Sequence, residues 1–178
     1  VLDLGCGPGS NTQWFLHADY VGLDLEPAYI ENARKAWPKR FEVADVSQPL
    51  PSDLGEFDLI LVNSLLHHLS DEQVRKLFVN LQSRLTDDGF IHVIDLTLPP
   101  RKGLPYYLAR WDRGEYARPA GELESLVTAD YEAVLVEPFK LKLAGATGWE
   151  MLYLKLRRPT SRPAPSNANP TTPDASGR

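Results

Sequence analysis

The sequence predicts an α/β fold: a doubly wound, mostly parallel sheet with helices on both faces. Three observations carry that prediction. Strand-like and helix-like segments alternate along the body of the chain. A glycine-rich loop follows the first apolar strand at once. Phe57 to Val62 is so continuously apolar that it reads as a central strand covered on both sides. With 178 residues, 43% of them hydrophobic, the chain suffices for one domain with a real core and is too short for two.

Each element has a local reason. Val1 to Leu4 is a short apolar strand, and Asn11 to Leu16 reads as helical from the cluster Trp14, Phe15 and Leu16 behind the candidate cap Ser10. Tyr20 to Asp24 is the second strand. Pro27 opens a helix with Ile30, Ala33 and Ala36 on one face and Arg34 and Lys35 near its end, stopped by Pro38. Phe41 to Ala44 is the third strand and Phe57 to Val62 the fourth. Ser70-Asp71-Glu72-Gln73 is a capping box for a helix over Asp71 to Leu85 with an apolar stripe of Val74, Leu77, Phe78, Leu81 and Leu85. Asp87-Asp88-Gly89 is a turn, and Phe90 to Leu96 the fifth strand. A helix around Gly121 to Thr128 precedes two strands, Glu132 to Leu143 and Trp149 to Leu156, joined through Gly145 to Gly148 and therefore antiparallel.

Composition sets the outer bounds. The net charge of -5 disfavours nucleic acid and anionic membranes as general partners. The longest aliphatic run, Leu59 to Val62, is far short of the roughly 18 to 20 apolar residues of a membrane span. A lone cysteine, Cys6, makes neither an internal disulfide nor a cysteine-based zinc site, so the expected compartment is the cytoplasm. The chain opens in mid-strand at Val1, which reads as though a helix preceding the sheet edge were missing. Residues 159–178, with five prolines and nothing more apolar than alanine, read as a disordered tail to a domain of residues 1–158.

In doubly wound sheets ligands bind outside the carboxyl ends of the strands, so the residues after each strand matter most. The first strand leads into Gly5-Cys6-Gly7-Pro8-Gly9-Ser10, whose glycines permit a tight turn and a close approach to a ligand. Ser10 occupies the place of the last glycine of a dinucleotide fingerprint. Asp3, just before the loop, gains nothing beside a pyrophosphate but suits a cationic group. Asp24, nineteen residues beyond Gly5, can accept two ribose hydroxyls, a spacing shared with nicotinamide enzymes. Asp45 can accept from an adenine amino group while the adjacent amide donates to the ring. Three carboxylates at three successive strand tips suit an adenosine with a cationic amino-acid tail.

These segments resemble the class I S-adenosylmethionine-dependent methyltransferases. Val1 to Gly9 is similar to the first motif of that family, and Gly22 to Pro27 to the segment after it. Ala44-Asp45-Val46, Phe57 to Ile60 and Leu85 to Phe90 match later landmarks in order, so the resemblance covers about residues 1 to 156. It implies a seven-stranded Rossmann-like sheet with an antiparallel last strand, and S-adenosyl-L-methionine as cofactor with S-adenosyl-L-homocysteine as product. It further implies that Asp3 and Gly5 lie near the methionyl end, with Cys6, Gly7 and Gly9 completing the cofactor loop. Asp24 then binds the ribose, Leu25 packs on adenine, Asp45 reads the adenine amine, and Val46 and Asn63 complete the set.

The catalytic signal is thinner. His67 and His68, after the fourth strand, are candidate general bases, with pocket wall for His67 and solvent for His68 as the alternative. Adjacent side chains on a helix point about 100° apart, so no metal site is expected. Asp95, at the tip of the fifth strand, reads either as a partner near the acceptor or as a capping acid. Asn63 to Leu66 departs from the Asn/Asp-Pro-Pro-aromatic pattern of enzymes that methylate DNA base amines. Residues 101–118 are rich in basic and aromatic side chains and read as a lid over the acceptor. In that lid Tyr106, Tyr107 and Trp111 line the pocket, and Arg110, Arg113 or Arg118 holds an anion. An amphipathic helix on the sheet and a small nucleic-acid surface compete with that reading. The functional expectation is methyl transfer from S-adenosylmethionine to an oxygen, nitrogen or carbon of a small molecule. A non-catalytic methyltransferase-like subunit and a nicotinamide-dependent oxidoreductase are the alternatives.

Overall fold

The computed structural model describes residues 1–159; the expected tail from residue 160 onward lies outside the described residues. Seven strands form one sheet: β1 (Leu2–Leu4), β2 (Val21–Asp24), β3 (Arg40–Val43), β4 (Phe57–Asn63), β5 (Leu85–Thr97), β6 (Glu132–Leu143) and β7 (Ala146–Arg157). Their order is β3-β2-β1-β4-β5-β7-β6. The first five run parallel, and β7 lies antiparallel to both β5 and β6. Among the described residues four α-helices flank the sheet: α1 (Pro27–Ala36), α2 (Asp71–Leu81), α3 (Leu104–Trp111) and α4 (Ala120–Val127). No helix among the described residues is long and apolar enough to cross a membrane.

Strand alternation sorts the side chains between two faces. Leu2, Leu4, Leu23, Ile60, Val62, Ile91 and Val93 share one core with the stripes of α2 (Val74, Leu77, Phe78, Leu81) and α4 (Leu123, Leu126, Val127). Each such side chain contributes about 1.5–3 kcal/mol by burial. The opposite face carries two smaller clusters. Ile30 and Ala33 of α1 pack with Cys6, Tyr20 and Phe41, and Ala109 of α3 packs with Leu96 and Met151. Asp3, between Leu2 and Leu4, is turned to this second face and buried there.

Four elements differ from the expectation. The helix over Asn11 to Leu16 is a single 3-10 turn, Thr12–Trp14, whose Trp14 is exposed; Asn11 turns its side chain to Asp3 instead of capping. The Asp71 helix keeps its capping box but stops at Leu81, because Leu85 is drawn into β5 opposite Phe57. The Asp87-Asp88-Gly89 turn sits inside β5 as a bulge, where Thr86 to Gly89 oppose the single residue Asp58. The last hairpin turns on Ala144 and Gly145, both at positive φ. Trp149 faces Leu141 there while Thr147 faces Lys142, which leaves Gly148 as the extra residue of a bulge.

Candidate active site

The strand order reverses between β1 and β4, and a cleft of about 810 Å³ opens there beyond the strand ends. One wall consists of the tips of β1, β2 and β3: Gly5, Gly7, Asp24, Leu25, Asp45 and Val46. Backbone geometry fixes this wall. Gly5, Gly7 and Gly9 all sit at positive φ, which folds the loop so that the Gly5 and Cys6 amides donate to the Leu23 carbonyl. The Gly7 amide donates to Asp24 Oδ2 at 2.8 Å and the Glu26 amide to Asp24 Oδ1 at 2.9 Å. Each oxygen of Asp24 thereby keeps a second lone pair for a ligand. Asp45 is held by the amide and hydroxyl of Ser47, and Leu25 presents an exposed apolar plate.

Four residues expected at the cofactor are not on the cleft wall. Asp3 is completely buried behind the glycine loop, where Tyr20 donates to it at 2.6 Å and Asn11 at 3.2 Å. Its Oδ1 has no partner, and burial pushes its carboxyl up to about 6 against the pull of those hydrogen bonds. Cys6 faces the α1 cluster, and burial raises its thiol far above the reactive range. Gly9 packs against the Trp37 indole. Asn63 donates sideways to Asn11. The next residue, Ser64, lines the cleft instead from a left-handed backbone (φ 53) that nothing in its sequence context signals.

The second wall is assembled from distant segments: His67, His68 and Leu69, Gln73 of α2, Asp112 and Arg113 after α3, Leu96, Leu141, Trp149 and Met151. Because β7 runs against its neighbours, its beginning lies with the ends of the parallel strands, which brings Trp149 and Met151 to the cleft. His67 is buried between two carboxylates. Its Nδ1 lies 2.6 Å from Asp95 Oδ1, and its Nε2 3.3 Å from Asp112 Oδ1. Burial works to lower its pKa, but the hydrogen bond and charge of Asp95, reinforced by Asp112, outweigh it, and the net shift is upward. His68 shifts downward, through burial and then the charge of His67.

Asp95 itself is buried and off the cleft wall. It accepts the amides of Leu66 at 2.5 Å, His67 at 3.3 Å and Leu96 at 2.7 Å, so it positions His67 from behind the cleft. The two imidazoles do not diverge as a helix would make them. They sit on a 3-10 turn, Leu66–His68, with ring centroids 4.1 Å apart. His67, His68 and Asp112 bring three ligand-type atoms within 4.8 Å of one another, the one such trio among the described residues.

A strap over residues 112–118 holds this wall. The Arg118 guanidinium is buried and donates to Asp71 and to the carbonyls of Leu66, Leu69 and Tyr116. It is a clasp between strap, turn and α2, and the anion-binding role expected as one option for it is lost. The Tyr116 amide donates to the His67 carbonyl. Gly114 lies so close that a Cβ there would overlap the His67 ring and carbonyl. Tyr106, Tyr107 and Trp111, expected in the pocket, contact one another away from the cleft, Tyr106 edge-on to Tyr107 and Tyr107 tilted against Trp111, with Trp111 78% exposed. Their helix turns Ala109 to the sheet, which leaves Tyr107 and Trp111 on its outer side and Tyr106 half-buried on its flank. Of the lid aromatics and arginines expected at the acceptor, Arg113 alone lines the cleft, beside its neighbour Asp112.

Residues 1–89 match the family described as Methyltransferase domain. The chain belongs to that family. It is 33% identical over 136 residues to the trans-aconitate 2-methyltransferase of Variovorax paradoxus, an alignment covering 72% of this chain and 50% of that protein. The chain spans about half or less of the length of the curated relatives it matches. Two solved methyltransferases share the fold. An S-adenosylmethionine-dependent enzyme from Mesorhizobium loti aligns with TM-score 0.68 and 24% identity over 88% of this chain and 89% of its own. The N-methyltransferase NodS from Bradyrhizobium japonicum, solved with S-adenosyl-L-homocysteine, aligns with TM-score 0.69 and 21% identity over 89% and 76%.

Within this methyltransferase domain the carboxylate acceptors and the apolar plate fit S-adenosylmethionine. Asp24 has lone pairs left for two hydroxyls, and Leu25 offers an apolar plate. The unpartnered, buried Asp3 Oδ1 behind the loop is a charge deficit that a cationic group offsets.

Proposed function

We propose that the domain transfers the methyl group of S-adenosylmethionine to a small molecule seated against the His67 wall. The carrying observation is the pairing of the two walls: ribose- and adenine-suited carboxylates on one, a pinned imidazole on the other. When bound, S-adenosylmethionine supplies an activated methyl on a sulfonium, so the protein's task is alignment and management of the acceptor's proton.

Asp24 holds the ribose hydroxyls, Asp45 accepts from the adenine amine beside the Val46 amide, and Leu25 packs on the ring. Gly5 and Gly7 let the main chain approach the methionyl portion, whose ammonium is countered by Asp3 through the loop. Asp95 takes the Nδ1 proton of His67 as a hydrogen bond and so fixes the tautomer that leaves Nε2 to receive the acceptor's proton. Asp112 covers that nitrogen, and rotation of its carboxylate alone uncovers it when the acceptor enters, the strap backbone staying held at Gly114 and Arg118. The homology to trans-aconitate 2-methyltransferase supports a small acceptor.

The test is transfer of labelled methyl from S-adenosylmethionine to a panel of small alcohols, amines and acids. His67→Ala is expected to lower turnover by about 10²–10⁴-fold, the usual contribution of a general base, with S-adenosylhomocysteine affinity kept. Unchanged turnover in that variant contradicts the role of His67.

A further inference from the structure

The strap ends in an unusual arrangement of charge. Gly114 is pressed onto the His67 ring, which holds the backbone just after Arg113 while the Arg113 side chain lines the cleft; Asp112, just before it, is turned to the same ring. Four hydrogen bonds from Arg118 lock the far end of the strap. The Arg113 guanidinium is exposed and makes no hydrogen bond among the described residues; it shares this wall with the donors His68 and Gln73 and with one carboxylate, Asp112, which His67 engages. Around it lie Leu96, Leu141, Trp149 and Met151, an apolar lining. The opposite wall carries the carboxylates of Asp24 and Asp45, which repel an anion.

Resting on the methyltransferase reading above, we propose that the acceptor is a small acid. Its apolar body packs on Trp149 and Met151, and its oxyanion is held by Arg113 with His68 and Gln73. The fork of Arg113 offers two parallel N–H donors to a carboxylate, phosphate or sulfate. Burial and the charge of His67 lower the pKa of His68, which favours the neutral ring, a donor that adds no second cation. The two walls thus orient the acceptor: charge repulsion from Asp24 and Asp45 keeps its acidic end at the strap, and its other end faces the methyl donor.

The experiment is calorimetric titration of benzoate, phenyl phosphate and phenyl sulfate, each against an uncharged counterpart such as benzamide, with and without saturating S-adenosylhomocysteine. At least one acid is expected to bind about tenfold or more tighter than its counterpart, as one charge-assisted pair provides. Arg113→Met should abolish that preference, and Arg110→Met, a lid arginine off the cleft, should leave it intact. An absent preference, or one that survives Arg113→Met, overturns the proposal. Failure to bind S-adenosylhomocysteine instead counts against the cofactor reading, and the titrations without it still decide the acid site.

Discussion

The two walls of the cleft are built by different means. The wall of β1 to β3 is local: the glycine loop, Asp24 and Asp45 lie within one stretch of chain, and main-chain amides donate to both acids. The wall around His67 joins segments from Ser64 to Met151 and depends on a few buried side chains, Asp95 and Arg118 above all. A wall made of backbone tolerates the loss of side chains outside the ligand contacts. A wall hung on buried charges fails when one charge is removed. Mutations should therefore separate binding from integrity.

The largest effect is expected for Asp95→Ala, which strips partners from His67 and from the Leu66 and Leu96 amides. It should cost about 3–5 kcal/mol of stability in urea unfolding, as loss of one partner of a buried pair does; a loss below about 1 kcal/mol would break the contrast between the walls.

Asp3→Asn comes next and acts in the opposite direction. The folded carboxyl titrates at about 6 against an ordinary 3.8. The folded state therefore binds the proton more tightly, and stability falls as pH rises from about 4 to about 6. That difference amounts to about 3 kcal/mol at neutral pH. Asp3→Asn should recover about 2–3 kcal/mol at pH 7, flatten that pH dependence and weaken S-adenosylmethionine binding. An unchanged pH profile would contradict the charge deficit behind the loop.

Gly114→Ala should cost about 1–3 kcal/mol through overlap with His67, read by thermal unfolding. It should impair acceptor use more than cofactor affinity.

Asp112→Asn probes the clamp by titration of the His67 ring in NMR. The raised pKa of His67 means that its contribution to stability is complete below its ordinary 6.5 and is lost as pH rises through the folded value. Removing the Asp112 charge should lower that folded value, and an unmoved titration would remove Asp112 from the clamp.

The smallest effect is Ala144→Asn in the β6–β7 turn. Asparagine tolerates the left-handed backbone that Ala144 adopts at φ 49, and a gain of about 0.5 kcal/mol is expected in chemical denaturation.

The same contrast explains what was legible in the sequence. The order of strands and helices could be read because alternating and helical apolar patterns are local signals, and the capping box at Ser70 survived intact. The carboxylates of β2 and β3 were legible for the same reason, since a strand tip is a position in sequence as well as in space. Asp95 was visible as a strand-tip acid, but whether it met a ligand or His67 depended on the turn at Leu66. Arg118 and Arg113 are alike in sequence, and only the path of the strap makes one a buried clasp and the other a cleft residue. Trp149 and Met151 reach the site because β7 runs antiparallel, a fact of topology that no single residue encodes. The exposure of Trp111 is not legible, because an aromatic-rich stretch suggests a pocket and its helical spacing suggests a face on the sheet, and neither says which side of the helix the sheet takes.

The most direct test is calorimetric titration of S-adenosylhomocysteine into the wild-type protein and into Asp24→Ala, with NADH as control. Binding of S-adenosylhomocysteine alone is predicted, weakened by about 2–4 kcal/mol in the variant as two charge-assisted hydroxyl bonds are lost. Binding of NADH instead, or an affinity indifferent to Asp24, would contradict the assignment of the β1–β3 wall to S-adenosylmethionine.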